Sequence, residues 1–572
     1  MIKAKIDGHI TEIMEKFFRC KAGFEIFVPE NENFGHYSTN AALKIAGVLK
    51  QNPMEIAETI KSQILKKEPI FFEKIEIVAP GFINFFLSQD VLQKNIKEIL
   101  REKENFGKAK AKNKTVIVEY SSPNIAKPLG IHHLSPTVLG QAIVNILRFD
   151  GYKVISLSFP GDWGTQFGLL IAGYKKWGNK EKINFNPIDE LLDLYVKFSS
   201  AAKENPELLE EGRKEFKKLE DGDKENLELW KWLSKVSMDD FERVYKMLGV
   251  KIENTIPESY YEPELKSLVK EAIKNGVAKK GEDNSVIIPI PDSGTPEIIQ
   301  KSDGATIYTT RELAAIKHRF KKWNADKILY LGDNRQQAFH LSQVFKCAEL
   351  LGLAKPGQLE HIKFGMMLAE GGKKFATREG KLIKLEDVLN EAIKRSEQIV
   401  EKLNSDLPEK EKQEIAKIVG TAALKFFDLS RTRNSDIIFD WDKMLNLKGA
   451  SAPYIQYAYA RLKSILKKAP TPGFFGRKFD ASLLKTKPEL DLIFHLSRFG
   501  EIIEDAAKTY EPNKIADYLL RLAEKINAFY ETTPILKSEK PLMRARLALI
   551  ESATIIIKNG LNLLGIEVLE QM

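Results

Sequence analysis

The chain has 572 residues, of which 43% are hydrophobic, 29% charged and 9% aromatic. These are globular proportions for roughly three to five domains, and they exclude collagen-like, mucin-like and wholly disordered chains. Lys and Arg number 88 against 79 Asp and Glu, a formal net charge of +9, which suits a polyanionic partner without requiring one.

The first residues, MIKAKIDGHITEIMEKFF, place Ile6, Ile10, Ile13 and Phe17 at helical spacing. That predicts an amphipathic helix over about 2–19 rather than a signal peptide, which needs an unbroken apolar core. Apolar runs such as Ala553 to Ile557 are too short to span a bilayer, so no membrane partner is expected. Only Cys20 and Cys347 are present. A disulfide framework or cysteine zinc site is therefore not expected, and a reducing cytoplasm fits.

Residues 1–108 read as a small α/β unit. A strand is predicted at Phe24 to Val28, with helices near 39–50 and 54–67. Two strands follow, Ile75 to Val78 and Phe82 to Leu87, joined at Pro80-Gly81, and then a charged helix near 89–103. The basic run KENFGKAKAKNK reads as a linker. Thr115 to Tyr120 (TVIVEY) is β-branched and predicts a strand. Ser135-Pro136 reads as a helix start, with Ser as cap. Leu139, Ala142, Ile143, Ile146 and Leu147 make an apolar helical stripe, Gly151 ends it, and Val154 to Phe159 is the next strand. Strand, helix, strand is the seed of a parallel sheet.

Residues 175–290 read as a charged helical insertion. Sheet-like segments return at Ala305 to Tyr308, Ile328 to Leu331 and Ile362 to Met367, and from about 385 onward the pattern is helical. The stretch ARLKSILKKAPTPGFFGRKF carries six basic and no acidic side chains.

The loop SSPNIAKPLGIHHLSP lies between the first strand of that sheet and its helix. It sits at the carboxyl end of a parallel strand, where α/β sheets bind ligands, and faces a helix N-terminus. Lys127, His132 and His133 sit there, a set that suits phosphate and developing phosphoryl charge. A packed histidine doublet is the alternative. There is no Gly-x-x-x-x-Gly-Lys-Ser/Thr stretch, no Gly-x-Gly-x-x-Gly after a strand, and the adjacent histidines lack zinc-pair spacing.

The segments EYSSPNIAKPLGIHHL, GDWGTQFG, SDGATIYTTRELAA, FGMMLAEGGKKFATREG and FDWDKMLNLKGASAPYIQYAYARLKSI occur in that order. Together they resemble arginyl-tRNA synthetases, a class I aminoacyl-tRNA synthetase family, over nearly the whole chain. The resemblance implies a Rossmann-like parallel-sheet catalytic domain at 109–384. Before it stands an N-terminal α/β domain at 1–108 that contacts the tRNA elbow, and after it an all-α anticodon-binding bundle at 385–572. It also implies arginine, ATP with Mg2+ and tRNA as substrates and partners, a monomer, and no protein-bound metal.

Residue by residue, the resemblance places arginine against Glu119, Ser121, Asn124, Tyr308, Glu312 and Gln336. Glu312 stands where the family has Asp, and a helix N-terminal charge is its other reading. The family's His-x-Gly-His becomes Gly130-Ile131-His132-His133 here. His132 is expected to supply the missing imidazole from a loop freed by Gly130. The second ATP motif keeps Lys374, preceded by Lys373, and Lys127 is expected to replace the lysine that motif lacks. Phe364, Gly365 and Met366 would run beside adenine. Tyr454, Tyr457 and Arg461 would meet tRNA by stacking, although helical spacing also permits core packing for the tyrosines, and the basic stretch Arg461 to Lys478 would contact phosphate. A non-catalytic RNA-binding relative and a class I synthetase for another amino acid are the competing readings. Intact Tyr308, Gln336, Asn124 and Lys374 oppose the first, and the paired acids oppose the second.

Overall fold

In the computed structural model, which describes residues 1–291, 295–333, 337–372, 383–403, 405–469 and 479–571, the chain opens with helix α1 (Ile2–Ile13). It buries Ile2, Ile6, Ile10 and Ile13. Strands β1 (Ile26–Phe27) and β2 (Tyr37–Thr39) follow, then α2 (Ala41–Leu49) and α3 (Pro53–Lys67). Asn52 caps α3 by accepting from Met54 N at 2.9 Å, with Pro53 at the first helical position. Strands β3 (Phe72–Val78) and β4 (Phe82–Leu87) complete an antiparallel sheet of order β1-β2-β4-β3, and α4 (Gln89–Glu102) closes the unit. The strand expected at Phe24 to Val28 shrinks to two residues. The following linker is packed rather than free: Asn559 donates to Lys103 O at 2.9 Å, and a Cβ on Gly107 would meet Gly500 at 3.1 Å.

The parallel sheet starts with β5 (Thr115–Glu119), α5 (Leu134–Phe149) and β6 (Lys153–Ser158). The helical insertion comprises α6 (Thr165–Trp177), α7 (Lys180–Phe185), α8 (Pro187–Glu204), α9 (Pro206–Glu220) and α10 (Lys224–Met247). Then come β7 (Asn254–Thr255), α11 (Glu262–Lys274) and a small antiparallel sheet, β8 (Lys279–Lys280), β9 (Val286–Ile288) and β10 (Glu297–Gln300), which the charged composition did not announce. Next are α12 (Tyr308–Trp323), β11 (Lys327–Asp333), α13 (Ala338–Leu350), β12 (Leu359–Phe364) and β13 (Met367–Leu368).

The five-stranded sheet is parallel throughout, in the order β12-β11-β5-β6-β7. The chain lays β6 on one side of β5 and later β11 on the other, so the order reverses at β5 and a crevice opens beyond its carboxyl end. Side chains alternate across the sheet. Val116, Val118 and Leu329 join the core shared with α5, while Ile117, Ile328 and Tyr330 join the core under α12. Glu119 falls on the α12 side by the same alternation. On the other face, a Cβ on Gly140 would meet the Tyr120 ring at 2.2 Å, so glycine there lets α5 close on the strand end.

Two expectations fail here. Ala305 to Tyr308 is not a strand: it makes only a Gln300–Thr306 bridge, and Tyr308 already begins α12. Ser135 is not a cap. A short helical turn, Ile131–His133, precedes α5 and puts Ser135 inside its first turn, where its hydroxyl bonds Asp428 Oδ1 at 2.5 Å.

The rest is helical apart from one short strand: α14 (Leu385–Leu403), α15 (Glu409–Leu429), β14 (Ile437–Ile438), α16 (Trp441–Met444), α17 (Ala452–Lys467), α18 (Lys487–Ser497), α19 (Phe499–Thr509), α20 (Asn513–Thr532) and α21 (Lys540–Leu563). One apolar core runs without a break from α1 through α5 into these helices. Among the described residues, no helix is long and apolar enough to cross a membrane.

Candidate active site

A cavity of about 560 Å³ opens where β5 and β11 end. Glu119, the last residue of β5, and Glu312 of α12 both line it, and they are 8% and 1% exposed. Glu312 Oε2 is buried with no hydrogen-bond partner among the described residues. An unpaired buried carboxylate oxygen is costly. Tyr308, one turn earlier on the same face of α12, is 38% exposed and opens onto the cavity, its ring 5.0 Å from that of His340.

Burial pushes the Glu119 carboxyl above its ordinary range, and Glu312 adds to the shift. The Arg319 guanidinium opposes it, with Nη1 2.5 Å from Glu119 Oε2. At the rim Glu258 is raised to about 8, chiefly by burial, although Arg311 Nε lies 3.0 Å away. Asp162 is raised to about 6 for the same reason. Its carboxylate accepts from Ser259 N at 2.9 Å and Ser259 Oγ at 2.7 Å, so the GDWG segment pins the turn that carries Glu258.

Ser121 and Asn124 also line the cavity. Ser121 has φ +53°, an unusual backbone for a residue with a side chain. Its hydroxyl bonds Thr137 Oγ1 at 2.6 Å and the Tyr245 hydroxyl at 2.8 Å. The strand end is thus tied to α5 and α10 together. Asn124 bridges to Gly161, where a Cβ would stand 2.1 Å from Asn124 Oδ1.

His132 and His133 line the cavity side by side, with ring centroids 4.0 Å apart. Gly130 does not behave as expected. It is buried in an antiparallel bridge to Lys384, flanked by Ile131 N donating to Ile383 O at 3.0 Å and Leu385 N to Leu129 O at 2.8 Å. It is a pinned position rather than a freed hinge, and it does not line the cavity. Lys127 is not in the lining either; its ammonium sits 5.2 Å from the Tyr195 ring of α8.

Phe364, Gly365 and Met366 form the far wall. Gly365 N donates to Arg433 O at 2.7 Å and Met366 N to Asp436 Oδ1 at 2.9 Å. A Cβ on Gly365 would meet Ser435 O at 2.2 Å, so this wall is fixed by the segment that leads to β14. Gln336, Lys373 and Lys374 lie outside the described residues.

Residues 95–441 match the family model for the catalytic domain of class I (R) tRNA synthetases, 1–87 that for the arginyl-tRNA synthetase N-terminal domain, and 455–572 that for the DALR anticodon-binding domain. The arginine–tRNA ligase of Fusobacterium nucleatum is 40% identical over 96% of this chain and 95% of its own length. The chain belongs to the arginyl-tRNA synthetases. The arginine–tRNA ligase of Clostridium perfringens is 39% identical, covering 100% of this chain and 99% of its own. Among solved structures, the Plasmodium falciparum arginyl-tRNA synthetase superposes with a TM-score of 0.83 at 26% identity, covering 100% of this chain and 99% of that one. The Thermus thermophilus enzyme shares the fold, with a TM-score of 0.85 at 24% identity and full coverage of both chains. Arginine, ATP and tRNA are therefore the substrates, and the reaction is a ligation.

The anticodon-binding region of this synthetase carries a second groove, about 640 Å³, lined by Tyr457, Arg461, Lys467, Lys468, Tyr530 and Lys537. The Arg461 guanidinium lies 4.8 Å from the Tyr457 ring and 5.2 Å from that of Tyr530, and it donates to Asn527 Oδ1 at 2.9 Å. Tyr454 turns to α20 instead, its hydroxyl accepting from Asn527 Nδ2 at 2.9 Å. Residues 470–478 of the basic stretch lie outside the described residues.

Sequence reasoning missed Glu258, Arg319 and His340 around the first cavity, and Tyr530 at the second. Arg319 carried one usable signal, a spacing of seven from Glu312 on one helix.

Proposed function

We propose that arginine binds with its guanidinium between Glu119 and Glu312, under Tyr308, and its α-amino end toward Ser121 and Asn124. A guanidinium presents a planar fork of donors, and two acids at a strand end and on a facing helix suit it. The carboxylate of arginine then attacks the α-phosphorus of ATP in line and pyrophosphate leaves, giving arginyl-adenylate. The arginyl group passes next to the terminal adenosine of tRNA. Catalysis is by positioning and by stabilising phosphoryl oxygens.

In this scheme His132 and His133 face the phosphates, and adenine lies along Phe364, Gly365 and Met366. Lys373 and Lys374 supply cations from their loop, and Gln336 completes the arginine site. Gly130 acts indirectly, by holding His133. Lys127 contributes only after leaving Tyr195. Mg2+ arrives with the triphosphate; among the described residues no group of three His, Cys, Asp or Glu is placed to hold an ion.

Residues 1–108 serve the tRNA elbow, 109–384 the chemistry and 385–572 the anticodon, where Tyr457 and Arg461 meet bases and Tyr454 braces the helix. The enzyme works as a cytoplasmic monomer, away from membranes. Its two cysteines, neither in a disulfide, fit a reducing compartment.

The observation that carries this reading is that Glu312, whose Oε2 has no hydrogen-bond partner among the described residues, lines the same cavity as Glu119. Glu312→Gln should raise KM for arginine by roughly 10²–10³-fold, as expected for breaking a buried charge pair, and leave KM for ATP nearly unchanged. An arginine KM within about twofold of wild type rejects it.

A further inference from the structure

Arg319 is fully buried, an expensive place for a cation unless it is paired. It stands on α12 seven residues after Glu312 and eleven after Tyr308, so the three share a helix face. Nη1 lies 2.5 Å from Glu119 Oε2 and donates to the Tyr330 hydroxyl at 3.0 Å. Glu119 and Tyr330 are register partners on β5 and β11, so the sheet fixes both acceptors. The rings of Phe159 and Tyr330 lie 5.0 and 5.5 Å from the guanidinium carbon. Nε and Nη2 are nevertheless buried without hydrogen-bond partners among the described residues. A buried ion pair left this incomplete is a poor source of stability, because apolar residues of similar volume would do as well.

We propose that Arg319 is a positioning residue of the arginine site, a resident guanidinium that holds Oε2 of Glu119 as its counter-charge, so that Oε1 is offered to the substrate opposite Glu312. The inference rests on the reading of Glu119 and Glu312 as the arginine clamp. Its logic is electrostatic. Two buried carboxylates lining one cavity repel, and without a counter-charge one of them is driven toward holding a proton. A protonated Glu119 grips a guanidinium poorly. Arg319 is the cation in contact with Glu119. The other titratable groups around the pair are Glu312 and Tyr308 on α12, Tyr330 on β11, Tyr261 ahead of α11, and Glu258 at the rim.

The test is steady-state aminoacylation by the full chain with a tRNA transcript, between about pH 6.5 and 9, where a displaced carboxyl titrates. Arg319→Met should raise KM for arginine at least ~30-fold at pH 7 and leave KM for ATP within about twofold. The arginine KM should fall again toward pH 9 as Glu119 loses its proton, and Arg319→Lys should recover most of the loss. An unchanged arginine KM in folded Arg319→Met, an equal rise for ATP, or a loss independent of pH overturns the proposal. The Glu119→Gln/Arg319→Met pair removes both charges and keeps the test open if Arg319→Met alone does not fold. In the Glu119→Gln background, Arg319→Met should change the arginine KM less than about threefold, because Arg319 acts through Glu119. A further tenfold loss there overturns the proposal. Glu119→Gln with a normal arginine KM removes the clamp reading and this inference with it. A raised KM in Glu119→Gln beside a normal one in Arg319→Met removes this inference alone.

Discussion

The backbone N–H of Gly130 donates to Nδ1 of His133 at 3.0 Å. That bond makes Nδ1 an acceptor, so the neutral ring carries its proton on Nε2. Burial, helped by the neighbouring His132 ring, pushes the His133 pKa down to about 3. On the proposed reading, a neutral His133 would meet phosphate as an N–H donor rather than as a cation. Gln can place an amide N–H near Nε2, whereas Asn reaches only to the Nδ1 position. His133→Asn should cost roughly 10²–10³-fold in arginine-dependent pyrophosphate exchange and His133→Gln about tenfold. Equal losses in the two variants, or an acid limb of kcat/KM that His133→Gln abolishes, would contradict this assignment.

Among the described residues no hydrogen bond fixes the His132 tautomer, and the residue is exposed beside His133. If it supplies the imidazole absent from position 130, His132→Ala should lower the activation rate by about 10²-fold while tRNA binding stays intact. Pyrophosphate exchange and filter binding on one preparation separate the two effects. Near-wild-type exchange would leave His132 as a packing residue.

These two histidines show what was legible in the sequence. The βαβ unit could be read because TVIVEY and the Leu139 to Leu147 stripe carry unmistakable periodicities. The turn Ile131–His133 could not, because Ser135-Pro136 is an equally good helix start until Asp428 is known to hold the Ser135 hydroxyl. Ala305 to Tyr308 looked like a strand by composition, but Tyr308 opens α12, and Glu312 one turn later lines the cavity. Gly130 looked like a hinge. Its partners at 383–385 lie some 250 residues along the chain, and local pattern holds no record of such pairing. Arg319 sits in KHRFKK, and composition does not say which of those cations enters the core.

Lys425 of α15 is buried and donates to Leu248 O, at the end of α10, at 2.6 Å, and to Gly565 O beyond α21. One ammonium thus closes two helix ends from different parts of the chain, where carbonyls lack intrahelical partners. Lys425→Met keeps most of the apolar stem but leaves the buried Leu248 carbonyl and the part-buried Gly565 carbonyl without the ammonium. It should cost about 2–4 kcal/mol, seen as a lower Tm in calorimetry, with the arginine KM unchanged. A Tm within a degree of wild type would show that water replaces the ammonium.

Asp428 of the same helix accepts from Ser135 Oγ at 2.5 Å, directly behind the cavity. Burial raises its carboxyl to about 6, and the Ser135 bond only partly offsets the shift. The sign follows from proton binding. Between roughly pH 4 and 6 the folded chain holds a proton that the unfolded chain has released, so stability falls as pH rises through that window. Above it, Asp428 is ionised in both states and the penalty is complete. A shift of this size corresponds to on the order of 2–3 kcal/mol. Asp428→Asn keeps an oxygen for Ser135 and no longer titrates. Its stability relative to wild type should therefore be greatest at pH 7.5 and shrink toward pH 4.5, measured by denaturant unfolding at both values. A difference that does not vary with pH would place the titration elsewhere. If the gain in stability comes with a slower activation step, the charge behind α5 is retained for its effect on the phosphate side of the cavity rather than for the fold.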